Sequence, residues 1–177
     1  MAAHGILRMR RDGPAVIFQV EGRGTMHHGL PLRRAAEQAL LQGAMAVRVD
    51  LHLCNYMDST FLGTLLFLLR AAACRGIPDF ALVAPSPACR QLIQQMGLED
   101  VYPIAPGEAP PDAGWTELPV AQPGTESFNR NVARAHQELA NVPGPAAAQF
   151  QRVADCLAKD LPASDDDTTI ITTKDVK

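Results

Sequence analysis

Asp58, Ser59 and Thr60 are three consecutive oxygen-bearing side chains placed where they could do chemistry. Directly after them, Phe61, Leu62, Leu65, Leu66, Leu68, Leu69, Ala72 and Ala73 recur at mostly three- and four-residue steps, which predicts a buried helix. The trio therefore lies at that helix's first turn, where backbone N–H groups lack partners and any of the three can cap them. The same end carries the positive pole of the helix dipole, so an added phosphate is tolerated there. Ser59 is chemically suited to become a phosphoserine. Two other roles for it stay open: a plain capping residue, or a hydrolase nucleophile. The nucleophile role lacks a Gly-x-Ser-x-Gly elbow and any histidine nearby in sequence to take the proton.

The elements that must position this junction can be read around it. Ala46 to Leu53 alternates apolar and polar residues and predicts the strand that feeds the turn. Upstream, Ile6–Arg10 and Ala15–Glu21 are short strands separated by Asp12-Gly13-Pro14, which suggests a hairpin. Gly22 to Thr25 reads as a loop, and Pro31 to Gln42 as a helix ended by Gly43. Downstream, Gly76-Ile77-Pro78 breaks the buried helix and Phe80 to Ala84 reads as a strand. Ser86 and Pro87 look like the cap and first residue of a helix over Ala88–Met96, closed by Gly97. Val101 to Ile104 allows one last short strand. Strands alternating with helices predict an α/β sheet with parallel neighbours and an antiparallel first pair.

At these residues the sequence resembles the STAS domain, the family of sulphate-transporter and anti-sigma-factor-antagonist modules. The resemblance rests on Asp50-Leu51, on Met57-Asp58-Ser59-Thr60-Phe61-Leu62-Gly63, and on Pro85-Ser86-Pro87 followed by Leu92 and Met96-Gly97-Leu98; it covers roughly residues 6 to 104. It implies a STAS-like mixed β-sheet of about four or five strands with helices packed on it. It also implies that Ser59 is the phosphate acceptor, with Thr60 as fallback, and that Asp58, Ser59, Thr60, Phe61, Gly63, Arg23 and Thr25 meet a protein partner. Phe61 is a departure, since many members have Gly there, and its bulk could alter how a partner approaches.

Composition agrees with a modest soluble protein. The chain has 177 residues, 47% of them hydrophobic, enough for one domain and an appendage. Its longest apolar run, within Phe61–Ala73, is interrupted by Gly63, Thr64 and Arg70 and falls short of the roughly 20 residues a membrane span needs. Arg8, Arg10, Arg11 and Asp12 stand where a signal peptide would be apolar. A net charge of -3 makes no electrostatic case for nucleic acid, and Cys54, Cys74, Cys89 and Cys156 lack a Cys-x-x-Cys pair, so a reducing cytoplasm is the simple reading. Gly22, Gly24 and Gly29 do not have the Gly-x-Gly-x-x-Gly spacing of a dinucleotide turn. His27 and His28, adjacent and far in sequence from His52, make a poor metal set and read as loop residues. No cofactor is expected.

Beyond the STAS-like segment, taken as 1–104, residues 105–124 form a Pro-rich connection whose lone tryptophan, Trp115, is expected to dock on the folded part, with an exposed partner contact as the alternative. Thr125 can cap a helix running to Val142 with a stripe of Phe128, Val132, Ala135, Leu139 and Val142. Pro143-Gly144-Pro145 ends it, and Ala146 to Leu161 repeats the pattern, so 125–162 predicts a C-terminal helical hairpin. Its stripe must be covered by the domain, by the twin helix, or by a dimer or partner. Residues 163–177, acidic then Thr-rich, read as a flexible tail.

The resemblance implies a non-enzymatic regulatory module of a bacterial cytoplasm, an anti-sigma-factor antagonist. Its partners would be an anti-sigma factor that is a histidine-kinase-like serine kinase, and a Ser/Thr phosphatase; homodimerisation is possible, and neither nucleic acid nor membrane insertion is expected. The alternatives are an accessory subunit of a membrane transport complex and a serine-nucleophile enzyme.

Overall fold

The computed structural model describes residues 5–77, 79–106, 111 and 113–161. The tail expected over 163–177 lies outside the described residues. Strands β1 (Ile6–Asp12) and β2 (Ala15–Gly24) form the expected hairpin, turning at Gly13, whose φ of 57° is left-handed. Strands β3 (Ala46–Asp50), β5 (Phe80–Val83) and β6 (Ile104–Ala105) follow on in parallel, beside β2. Helices α1 (Met26–Leu41), α2 (Ser59–Cys74) and α3 (Pro87–Gln95) connect the strands. Phe18, Val47, Val49, Leu32, Leu62, Leu65, Phe80 and Leu82 are among the wholly buried core between sheet and helices.

Two strands were not legible. The strand expected over 46–53 stops at Asp50, and after a turn a separate β4 (Cys54–Met57) takes its place beside the far end of β2. The exchange happens at a register shift beside Gly22, which has a φ of 73°: Gly22 and Arg23 pair with Cys54 and Tyr56, so the extra residue is Asn55 and the bulge lies on β4. Asp50, fully buried, ties the switch together by accepting from its cross-strand partner Gln19 at 3.0 Å and from the His52 backbone N–H at 3.1 Å. The second new strand, β7 (Thr116–Glu117), comes from the Pro-rich connection and pairs antiparallel with β1 at the sheet edge. Trp115 docks beside it, half-buried with the Arg10 guanidinium 5.3 Å from its ring centroid. The last strand of the alternating series sits at Ile104–Ala105, slightly later than expected.

Helix α1 begins five residues before Pro31, so the segment Gly22–Thr25 is not a loop: Gly24 ends a strand and Thr25 caps the helix. A proline in a helix removes the N–H that would reach the carbonyl four residues back, here that of His27. That carbonyl is satisfied from elsewhere, by the backbone N–H of Ala121 at 2.7 Å. The Pro-rich connection is thus strapped to α1 as well as to β1, where the Leu118 N–H reaches the Leu7 carbonyl at 2.8 Å.

Helices α4 (Glu126–Ala140) and α5 (Ala147–Lys159) form the predicted hairpin, with Thr125 capping α4 through the Phe128 N–H at 3.2 Å. Helix α4 lies on α2 and α1 and buries Phe128, Ala135 and Leu139; α5 lies on α4 and buries only Ala154.

Phe61 departs from the family pattern without presenting its bulk to the surface. Its ring is fully buried against Gly24, where an added Cβ would stand 2.8 Å from a ring carbon. Gly24→Ala should therefore destabilise the protein by about 1–3 kcal/mol through overpacking. Combining it with Phe61→Leu should recover part of that loss in chemical denaturation, and simple additivity of the two changes would show that the contact is not what matters.

Candidate functional site

Asp58 is the residue on which the site is built. With extended backbone (φ -87°, ψ 170°) it is the N-cap of α2, and its Oδ1 accepts from the Phe61 N–H at 2.8 Å. Its Oδ2 accepts from the Met26 N–H, also at 2.8 Å, and Met26 is the first residue of α1. One carboxylate thus caps two helices, whose positive ends converge on it. The Asp58 backbone N–H in turn donates to the Gly24 carbonyl at 3.0 Å, fixing the junction to the end of β2.

Ser59 is the first residue of α2 and is partly buried. Its Oγ lies 3.2 Å from Nε2 of His136 on α4. The other ring nitrogen, Nδ1, lies 2.9 Å from the Val132 carbonyl, which requires the proton on Nδ1 and leaves Nε2 to accept from the Ser59 hydroxyl. No sequence signal pointed to this histidine, 77 residues away; it shares the α4 face with Ala135 and Leu139. The objection that no histidine is near Ser59 in sequence does not hold in space, although His136 is oriented by a backbone carbonyl and not by a carboxylate.

The other expected contact residues separate. Thr60 is almost fully buried, and its carbonyl accepts from the Thr64 hydroxyl at 2.9 Å. Phe61 faces the core, and Gly63 lies under α4. Arg23 stacks on Tyr56 across β2 and β4, its guanidinium carbon 3.9 Å from the ring centroid. Thr25 is engaged with His28: its N–H meets His28 Nδ1 at 3.2 Å while Nε2 lies 3.0 Å from the Gly5 carbonyl. His27 and His28 are helical, not loop residues, and do not form a set with His52. His28 is buried, His27 packs its ring 5.7 Å from that of Phe128, and His52 lies against Asp50.

With this geometry in view the chain can be placed. The family profile described as "Mlab, STAS domain" matches residues 7–105, more than half of the chain. The chain belongs to the STAS family. Among solved structures, the anti-sigma factor antagonist SpoIIAA in its unphosphorylated form aligns with a TM-score of 0.50 and 22% identity, over 56% of this chain and 88% of that one. An anti-sigma factor antagonist from Mycobacterium paratuberculosis aligns at 22% identity and a TM-score of 0.47, over 59% of this chain and 87% of that one. None of the curated proteins compared with the chain matches it. At 22% identity the likeness to the unphosphorylated antagonist is one of fold, and it agrees with the α/β sheet-and-helix architecture expected. The family match stops before α4, so the helix that brings His136 to Ser59 lies outside the matched STAS segment. Among the described residues, no helix is long and apolar enough to cross a membrane.

Because Asp58 caps two helices, Asp58→Ala should cost about 2 kcal/mol, more than the ~1 kcal/mol of a single lost cap. Asp58→Asn, which keeps one acceptor oxygen, should fall between, as read by urea denaturation.

A second expectation concerns acid. Burial holds His28 below its ordinary pKa of 6.5, opposed by the Gly5 carbonyl, assisted by nearby His27 and again opposed by Asp58. A lowered folded-state pKa favours the neutral ring, so its contribution to stability is complete above 6.5 and is lost as pH falls below that value. Protonation would also set an Nδ1–H against the Thr25 N–H. The melting temperature should fall between pH 7.5 and 5.5, and His28→Gln should flatten that dependence.

Proposed function

We propose that this STAS protein is a regulatory protein-binding module, an anti-sigma factor antagonist that acts by partner switching, with Ser59 as the phosphate acceptor. The observation that carries this reading is the position of Ser59 at the first residue of α2, directly after its N-cap Asp58, which also accepts from the first N–H of α1. The fold-level likeness to a protein named as an anti-sigma factor antagonist, described in an unphosphorylated form, supports it. Ser59 is favoured over Thr60 because the Thr60 side chain is turned inward and is almost fully buried.

The switch is electrostatic and local. A phosphoserine adds about -1.5 to -2 charges at the face a partner must dehydrate. Converging helix ends favour that charge, while neighbouring Asp58 repels it. The fold is thus little affected and the interface is opposed. The partners of this reading are a histidine-kinase-like serine kinase acting as the anti-sigma factor and a Ser/Thr phosphatase, in a bacterial cytoplasm. The working parts are a STAS unit over 1–104, a connection over 105–124, the hairpin over 125–162 and a tail over 163–177. No chemical turnover is assigned to the module, and His136 serves to hold the Ser59 hydroxyl.

One observation favours a second reading. The Ser59 hydroxyl is already engaged by the chain's own His136, which would suit an accessory subunit of a membrane transport complex in which phosphorylation plays no part.

The test is intact-mass analysis with site mapping of protein from its own cells, followed by calorimetry with the kinase partner it co-purifies with. Phosphate on Ser59 is expected. Ser59→Ala should bind constitutively, and the phosphorylated protein should lose most of its affinity while its melting temperature stays the same. Absence of phosphate under all growth conditions, or undiminished affinity after phosphorylation, would overturn the switch and favour the second reading.

A further inference from the structure

The side of α2 that carries Ser59 is covered along its length by α4. Ser59, Gly63, Phe67 and Arg70 follow one another at steps of four, four and three residues, so they form one stripe. At its head the Ser59 hydroxyl meets His136. One turn on, an added Cβ at Gly63 would stand 2.1 Å from the Ala135 carbonyl oxygen and 2.8 Å from the Ala135 Cα, so the two helices cross backbone against backbone. Beyond that, the Arg134 guanidinium lies 5.3 Å from the Phe67 ring centroid, and Arg70 pairs with Glu138. Asn131 adds a contact to the side, donating to Thr64 Oγ1 at 3.4 Å.

We propose that α4 is a tethered competitor for the Ser59 face. It occupies in cis the surface that a protein partner would use, and a macromolecule reaches Ser59 only after the α4–α5 hairpin moves aside. This rests on the reading of Ser59 as a regulatory acceptor and adds to it the step that controls access. The partner it implies presents a helix of the same design, with a small residue over Gly63 and an acidic one toward Arg70, because that is what the groove already accepts.

The construction suits reversible docking. The last strap between the connection and the domain is at Ala121, and Gly124, with a φ of 83°, lies just before α4. The hairpin can therefore leave without breaking any strand pairing. Its polar contacts are single hydrogen bonds and an ion pair whose Arg70 side chain is 40% exposed, interactions of small net strength. Apolar cover comes from Phe128, Ala135 and Leu139, with Val142 and Phe150 packed at its margin.

The experiment uses the full chain carrying Ser59→Cys, with the exposed thiols removed by Cys74→Ser and Cys156→Ser. Modification by a maleimide bearing a large polyethylene glycol is followed by gel shift, and amide exchange across residues 126–140 by mass spectrometry. Position 59 should react at least tenfold more slowly than Cys74 does in the natural chain. Gly63→Ala, which improves the helix propensity of α2 but collides with Ala135, should raise both the labelling rate and the exchange of α4. Arg70→Glu should do the same, and adding Glu138→Arg should bring both back. The proposal is overturned if position 59 labels as fast as Cys74 with α4 docked. It is equally overturned if labelling stays slow while α4 exchange rises, or if neither variant moves either readout. None of these measurements involves phosphate or a partner, so the lid can fail while Ser59 remains a phosphate acceptor, and the reverse.

Discussion

Two helix N-termini share one carboxylate. A helix start leaves N–H groups without partners and concentrates positive potential there, and Asp58 meets two such starts at once, one oxygen to each. This sets how α1 and α2 approach one another, anchors both to the end of β2, and places Ser59 by simple adjacency. The same arrangement limits what a phosphate on Ser59 can gain. The best donors are already taken by Asp58, so added charge meets two helix dipoles and one close like charge. A regulatory serine beside such a cap can change what binds without changing what folds.

Helix α2 is pressed from two sides, and each contact depends on a missing side chain. Inward, the Phe61 ring fits because Gly24 has no Cβ; outward, α4 approaches because Gly63 has none. Interiors are packed closely enough that either space is filled by one particular neighbour. Phe61, bulky beside family members with Gly, is thereby absorbed into the core, while Gly63 passes its free space to the appendage.

The appendage is joined to the STAS unit by repairs as well as by packing. Pro31 would leave the His27 carbonyl unpaired within α1, and Ala121 from the connection supplies the missing N–H. Edge strand β7 likewise gives β1 a partner on its open side. A stretch rich in proline and poor in apolar residues is held in place by backbone groups that the domain left unsatisfied.

Much of this was legible in the chain. The Asp12-Gly13-Pro14 turn signal marked the hairpin, period-two alternation marked β3, three- and four-residue steps marked α2 and α4, and Ser86-Pro87 and Thr125 marked helix starts. The Asp58-Ser59-Thr60 turn was recognisable as a helix start that could carry charge. All of these are properties of neighbouring residues, and local periodicity records which face of an element is buried. It does not record what buries it. The four residues of β4 became a strand only because β2 runs on to Gly24 and offers them a partner. The early start of α1 was hidden by Pro31, normally a first-turn residue, until Ala121 paired the carbonyl it orphaned. The choice of Asp58 as cap, and its second helix, depended on where Met26 lay in space. His136 is the clearest case: its sequence context is an amphipathic helix like many others, and its contact with Ser59 spans 77 residues. The residue types determined that Ser59 could accept a hydrogen bond, a proton-transfer partner or a phosphate; the docking of α4 through Gly63 decided which group faces it, because distance in a folded chain is set by packing and not by sequence.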